Sequence, residues 1–120
     1  MTRLEQGQGA EGLASAWLEA NGYSVKARNY RCRMGEVDVV AEQNGVLCFV
    51  EVRSRTNSAG VDPLDTVTRQ KQQKVVRTAM HFLQTQDCGD VGVRFDVMSV
   101  VGSGAAMQVA HVPNAFDAGF

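Results

Sequence analysis

Two carboxylates, Asp38 and Glu51, lie in neighbouring segments of strand character that the turn Asn44-Gly45 joins. Asn-Gly is the strongest local signal for a two-residue β-hairpin loop. Counting outward from that loop places Asp38 opposite Glu51, with Cβ atoms about 5 Å apart, and like charges at that separation destabilise a sheet. A divalent cation between them would offset the repulsion, and Mg²⁺ is usually held by one or two carboxylates.

Other arrangements would relieve the same repulsion. One carboxylate could carry a proton, a base such as Arg53 could neutralise the pair, or a bulge could change the register. Alternation along the strands predicts that Glu36 and Arg53 share a face with the two acids. It also predicts that Val37 and Val39 lie together on the opposite, apolar face. The acidic face is therefore either a metal site or a set of paired charges.

The second strand carries an acid-x-base unit, Glu51-Val52-Arg53. An acid in one strand followed by such a unit in the next is the layout of metal-dependent phosphodiesterases of the PD-(D/E)xK kind. In that layout two carboxylates hold Mg²⁺ or Mn²⁺, the carbonyl of the middle residue (Val52) completes the coordination, and the base meets the scissile phosphate.

Arg53 stands where the phosphodiesterase pattern has a lysine. Because arginine stays protonated, it can bind phosphate or stabilise a transition state but cannot take a proton from water. Lys71, Lys74 or metal-bound hydroxide would have to supply what a lysine provides. The sequence therefore supports metal or DNA binding more strongly than it supports catalysis.

Basic residues are clustered although the formal net charge is −1. Segments 26–33 and 69–77 each carry four basic residues and no acid. Such segments are typical of a surface that follows a phosphate backbone, and equally of an ordinary solvated face. The candidate nucleic-acid contacts are Arg28, Arg31, Arg33, Arg55, Lys71 and Lys74.

The composition indicates a globular chain. With 120 residues, 44% hydrophobic and 21% charged, we expect one domain over residues 1–120. No apolar run approaches the roughly 20 residues of a membrane span, and the first residues lack the apolar segment of a signal peptide. We therefore expect a cytoplasmic protein without membrane contact, in which Cys32, Cys48 and Cys88 are free thiols.

Periodicity predicts an α/β fold with the order α-β-β-β-α-β-β, a mixed sheet flanked by helices. A turn at Asp62-Pro63, with Asp65 in a capping box, is expected before the second helix, whose buried stripe would include Met80 and Leu83. The predicted elements are helices at 9–21 and 68–86 and strands at 23–30, 35–42, 46–53, 94–101 and 106–112.

Two further acids have open assignments. Glu11 lies at the edge of the apolar arc of the first helix, where it could reach over the rim of the sheet or simply interact with the helix dipole. Asp96 could be an additional acid of the site, although a salt bridge within Arg94-Phe-Asp96 at the start of a strand is favoured.

Several short strings, taken together and in order, resemble the YraN-like family of uncharacterised bacterial proteins. That family is similar in fold to Holliday junction resolvases and restriction endonucleases. The resemblance implies a restriction endonuclease-like core in which Asp38 and Glu51 are metal ligands and Glu11 is the helix acid. The strings are Gly7-Gln-Gly-Ala-Glu11, Gly22-Tyr23, Arg28-Asn29-Tyr30, Gly35-Glu-Val-Asp38, Phe49-Val-Glu-Val-Arg53, Lys71, Arg94-Phe-Asp96 and Asn114-Ala-Phe116.

Three hypotheses follow. The first is a Mg²⁺-dependent endonuclease acting on DNA, with Glu11, Asp38, Glu51 and Arg53 as its catalytic group. The second is a nucleic-acid-binding module that keeps the nuclease fold without the chemistry. The third is a protein-interaction domain without metal. A homodimer is left open, because enzymes that resolve junctions symmetrically must act as dimers.

Overall fold

A five-stranded sheet with one helix on each face forms the framework of the protein. The computed structural model describes residues 3–55, 67–102 and 107–118, with side chains from residue 9 onward apart from that of Arg55. The predicted order α-β-β-β-α-β-β and the mixed sheet are confirmed. The elements are α1 (Arg3–Ala20), β1 (Ser24–Cys32), β2 (Gly35–Gln43), β3 (Val46–Arg55), α2 (Arg69–Thr85), β4 (Gly92–Val101) and β5 (Gln108–Phe116).

The strands follow chain order across the sheet, β1-β2-β3-β4-β5. Strands β3 and β4 are parallel, whereas the other three neighbouring pairs are antiparallel. Helix α2 lies in the connection between the parallel pair, as a crossover requires. The predicted turn at Asp62-Pro63 and its capping residue Asp65 lie outside the described residues. None of the helices in the described ranges is long and apolar enough to cross a membrane.

Both faces of the sheet are buried, so the prediction of one polar and one apolar hairpin face is wrong. Val37 and Val40 belong to the cluster under α2, together with Phe49 and Phe82. Val39 belongs to the opposite cluster, under α1. Alternation is therefore interrupted between Val37 and Val39, and β2 contributes side chains to both hydrophobic layers.

The buried stripe of α2 differs from the predicted one at two positions. Val75, Val76 and Ala79 are buried as expected, but Met80 is 42% exposed and Leu83 only partly buried. Phe82 fills the core instead, since its ring makes edge-to-face contacts with Tyr30 and Phe49. The cap at the start of this helix is Thr68, whose hydroxyl accepts a hydrogen bond from the Lys71 amide.

The last strand runs further than predicted. It was expected to stop at Val112, before Pro113, but β5 continues to Phe116. Because β5 is at the edge of the sheet, a proline there removes no ladder hydrogen bond that the sheet needs. Phe116 then stacks on Phe95 of β4, with ring centroids 5.3 Å apart.

Candidate active site

The site lies where β2 and β3 separate. Their ladder runs from Gln43 with Val46 to Val39 with Val50, which confirms the register counted from the Asn44-Gly45 loop. It ends one pair before Asp38 and Glu51, so the predicted continuation of the ladder to these acids is wrong. The Val52 amide, which would face Val37 in a continued ladder, instead donates a 2.7 Å hydrogen bond to Asp38 Oδ2.

The same geometry directs a carbonyl into the opening. In an antiparallel pair, the N–H and C=O of one residue point toward the same neighbouring strand. Because the Val52 amide points at Asp38, its carbonyl oxygen faces the gap between β2 and β3 as well. The gap is therefore lined by oxygen atoms from both strands.

Glu51 is one of the most deeply buried acids in the described structure, with 2% of the residue exposed. Burial, and to a smaller extent the nearby Asp38 carboxylate, raise the pKa of its carboxyl group to about 7. Lys71 and Arg53 act in the opposite sense. The Lys71 ammonium nitrogen lies 3.4 Å from Glu51 Oε2.

Asp38 is partly buried, and burial is the main reason that its pKa is raised. The hydrogen bond from Val52 and the charge of Lys71 oppose this shift. Asp38 and Glu51 therefore lie side by side, and the ionised form of each is disfavoured. A bound cation would offset both the desolvation of the two carboxylates and the repulsion between them. The alternative to a bound cation is that one of the two acids carries a proton at neutral pH. In the metal-free protein the raised pKa of Glu51 is consistent with that alternative.

Glu11 reaches the same place from α1. Burial raises its pKa most, a hydrogen bond with Asn29 lowers it, and the Asp38 carboxylate raises it. Arg28 also acts on Glu11, and its Nη2 atom would lie 3.8 Å from a methyl group added at Gly12. The structure therefore brings the predicted helix acid into the neighbourhood of Asp38.

Asn29 is a residue of the site that the sequence interpretation missed. It has a φ of 53°, and the pairs Arg28–Val39 and Tyr30–Val37 flank it in the β1–β2 ladder. Asparagine tolerates this left-handed conformation better than most residues do. The amide side chain is thereby available to hold Glu11. The only signal in the sequence was its place in the Arg28-Asn29-Tyr30 string.

The predicted basic residues are distributed unequally around the gap. Arg53 and Lys71 both act electrostatically on Asp38 and Glu51. Lys74 and Lys71 line an adjoining cavity of about 450 Å³. The remaining candidates are Arg28 near Glu11, Arg31 paired with Glu36 at 2.9 Å, Arg33 exposed in the β1–β2 turn, and Arg55, whose side chain lies outside the described residues.

Asp96 serves a different purpose. Its fully buried carboxylate accepts hydrogen bonds from Arg94 Nε and Nη2, at 2.9 and 2.8 Å, and from the Asn114 amide at 2.9 Å. His111 Nε2 lies 2.8 Å from Asp96 Oδ2. Burial alone would raise the pKa of Asp96, but the bonds from His111, Arg94 and Asn114 lower it below its ordinary value. This carboxylate joins β4 to β5, in line with the favoured structural assignment.

The oxygen set suits magnesium better than zinc. Within residues 9–54, 67–102 and 107–118, no three His, Cys, Asp or Glu side chains are grouped closely enough to form a metal cage. Mg²⁺ does not require one, because it binds through one or two carboxylates and keeps several waters. Asp38, Glu51 and the Val52 carbonyl provide that smaller set.

Comparison with known sequences gives a consistent result. The sequence profile of the uncharacterised protein family UPF0102 matches residues 10–100, a range that includes Glu11, Asp38, Glu51 and Lys71. A UPF0102 protein of Myxococcus xanthus is 47% identical over 117 residues, which cover 98% of this chain and 93% of the relative. One of Geobacter metallireducens is 40% identical over 111 residues, covering 92% and 91% respectively. The resemblance drawn from the sequence strings is confirmed, and the chain belongs to the uncharacterised protein family UPF0102.

Proposed function

We propose that this protein is a metal-dependent endonuclease that hydrolyses phosphodiester bonds in DNA. The observation that carries the proposal is the meeting of Asp38 and Glu51 at the point where β2 and β3 separate, with both pKa values raised. Acids whose ionised forms are this disfavoured cluster at functional sites. A purely structural pair would be better served by an apolar substitution, since burying charges destabilises a fold.

Asp38, Glu51 and the Val52 carbonyl would hold Mg²⁺ or Mn²⁺. When bound, the ion supplies positive charge that stabilises the negative charge developing on the phosphoryl oxygens. The protein contributes a site that is already shaped, because the Val52 amide fixes the Asp38 carboxylate at 2.7 Å.

Three further side chains have separate roles in the proposed reaction. Arg53 keeps its proton, so it binds a non-bridging phosphate oxygen and stabilises the transition state. Lys71, at 3.4 Å from Glu51, favours the ionised form of that carboxylate and provides the second positive charge. Glu11, held by Asn29, orients a water molecule at the α1 side of the gap.

DNA is the proposed substrate because basic side chains surround an acidic centre. Arg28 lies on the α1 side, Arg33 at the β1–β2 turn, and Lys74 beside the cavity next to α2. Contacts to phosphate of this kind give affinity without sequence preference, so binding should weaken steeply with salt.

Cleavage of labelled DNA with Mg²⁺ or Mn²⁺ tests the proposal. Wild type should cleave, whereas Asp38→Asn and Glu51→Gln should lose cleavage and metal binding by calorimetry. Glu42→Gln is the matched control, since Glu42 pairs with Lys26 at 3.7 Å, outside the proposed site. Metal binding that is unchanged in both Asp38→Asn and Glu51→Gln would refute the proposed site.

Arg53 supports a second candidate, a DNA-binding module that has lost the chemistry. In that case wild type binds DNA and metal without cutting, and Arg53→Lys gains cleavage by restoring the lysine of the acid-x-base unit. If the wild type cleaves DNA and Arg53→Lys cleaves it no faster, the endonuclease hypothesis stands.

A further inference from the structure

The turn between β1 and β2 presents an apolar side chain among positive charges. β1 ends at Cys32 and β2 begins at Gly35, so Arg33 and Met34 form the tip of this hairpin. Met34 is 42% exposed. Leu13, Met80 and Val93 have similar exposure in the described structure, but they lie within α1, α2 and β4. Met34 alone among these four projects from a turn.

The tip of this hairpin packs against α2 through Gly35. Gly35 has a φ of 146°, and a Cβ atom there would lie 3.2 Å from Thr78 Oγ1 and 3.7 Å from Lys74 Cβ. Thr78 is fully buried, and its hydroxyl donates a 2.8 Å hydrogen bond to the Lys74 carbonyl. Because only glycine allows this close approach, the hairpin is held at a fixed position relative to the helix.

A cavity opens beside the tip of the hairpin, between the start of β2 and α2. Its volume of about 450 Å³ lies within the range of small-ligand pockets, about 300–1,000 Å³. Two lysines, Lys71 and Lys74, and one acid, Glu36, line it together with Gly35 and Gln70. Lys71 also contacts Glu51, so this side chain links the cavity to the candidate active site.

We propose that Met34 is a wedge that separates a base step, and that the substrate is DNA in which a duplex adjoins unpaired nucleotides. Apolar side chains, methionine included, insert between base pairs and unstack them in other DNA-binding proteins. Arg33 beside Met34 contacts the phosphates, and the cavity with Lys71 and Lys74 receives a nucleotide of the released strand. This inference rests on the proposed action on DNA.

The spacing along β2 gives the wedge a measurable consequence. Met34 and Asp38 are four positions apart in sequence, which corresponds to roughly 13 Å of extended strand. DNA rises about 3.4 Å per base step. Cleavage should therefore fall about four nucleotides from the opened step.

Binding to DNA that carries 2-aminopurine at a fork tests the wedge, in buffer with EDTA so that no cleavage occurs. Wild type should raise the fluorescence as the base unstacks and should bind the fork more tightly than a matched duplex. Met34→Ala should lose the rise and reduce the fork preference by about tenfold, the effect of about 1.4 kcal/mol of lost side-chain burial. Met80→Ala is the control, because Met80 is equally exposed, at 42%.

The outcomes separate this inference from the proposed function. Unchanged fluorescence and fork preference in Met34→Ala would overturn the wedge, as would a wild type that does not bind DNA. A wild type that opens the fork through Met34 but cuts no DNA when Mg²⁺ is added supports the wedge and overturns only the endonuclease. Lys74→Gln should weaken fork binding more than duplex binding, and equal weakening would remove the cavity from the proposal.

Discussion

The Lys71 ammonium nitrogen lies 3.4 Å from Oε2 of Glu51, a carboxylate with only 3% of its side chain exposed. The lysine comes from α2 rather than from the acid-x-base unit, where Arg53 stands. In the proposed site, two side chains would thus supply the positive charge that the strand motif provides with a lysine. Arg53 and Lys71 both lower the pKa of Glu51 and of Asp38.

We expect Lys71→Gln to reduce DNA cleavage by about 100-fold, the effect of removing one group that stabilises charge in a transition state. Single-turnover cleavage of a labelled oligonucleotide measures this loss. Lys26→Gln, which alters an exposed lysine paired with Glu42, should leave the rate unchanged. Equal losses in the two variants would indicate a general effect of surface charge instead.

The stability of the metal-free protein should fall as the pH rises from about 4.5 to about 7. Glu51 has an ordinary pKa of 4.5 that is raised to about 7 in the fold, so in this interval the folded protein retains a proton that the unfolded chain has released. Glu51→Gln removes the contribution of Glu51 to this dependence and should be more stable than wild type at pH 8 by ~1–3 kcal/mol. Urea unfolding with EDTA at pH 5 and pH 8 measures both effects. A variant destabilised equally at both pH values contradicts the raised pKa.

Mg²⁺ or Mn²⁺ should stabilise the folded protein at pH 8, by about 2.7 kcal/mol when the metal is present at 100 times its dissociation constant. Binding requires ionised carboxylates, so the apparent affinity should rise with pH up to about 7, the pKa of Glu51. Thermal unfolding with and without EDTA measures the effect, which Asp38→Asn should abolish and Glu42→Gln should preserve. A shift that persists in Asp38→Asn would assign the metal to another place.

Two substitutions distinguish the backbone role of Asn29 from the role of its side chain in binding Glu11. Asn29→Gly keeps the backbone at a φ of 53° but removes the side chain that binds Glu11, so it should fold and lose cleavage. Asn29→Ala loses the same bond and also strains the backbone, which should destabilise it by a further ~1 kcal/mol. Urea unfolding and cleavage rates of both variants distinguish these effects. Full activity in Asn29→Gly would exclude a positioning role for the side chain.

Asp96→Ala should destabilise the protein by about 3–5 kcal/mol, because it leaves Arg94 and His111 partly buried without their carboxylate. The dependence on pH is opposite to that of Glu51. Since the pKa of Asp96 is lowered, its contribution is present above the ordinary value of 3.8 and is lost as the pH falls below it. Acid unfolding of wild type and Asp96→Asn measures this difference. A similar acid midpoint in both would contradict the lowered pKa.

Local signals were sufficient for much of the fold. The Asn44-Gly45 loop fixed the register of five residue pairs, and the order of helices and strands followed from periodicity. The interruption at Asp38 could not be predicted in the same way, because there the Asp38 side chain takes the Val52 amide that a continued ladder would have bound through the backbone. The exchange of Met80 for Phe82 in the core likewise depends on rings that other strands supply.

The candidate site likewise combines residues that local spacing identifies with contacts that depend on tertiary packing. Asp38, Glu51 and Arg53 were identified by spacing within one hairpin, where contacts are local. The contact of Lys71 with Glu51 depends on how α2 packs against the sheet, and that of Glu11 with Asn29 on how α1 does. Sequence indicated that these residues were candidates, but only tertiary packing determines which partner each one meets.

The gap between β2 and β3 has a consequence for how the two sides of the molecule communicate. A closed sheet would be a barrier between α1 and α2, yet Glu11 from one helix and Lys71 from the other both act on Asp38. The gap therefore lets side chains from both faces of the sheet act on the same carboxylate. A substitution at Asp38 that lets the β2–β3 ladder continue would strengthen the sheet but close this gap. The stability of the fold and the proposed DNA cleavage therefore place opposite demands on this single position.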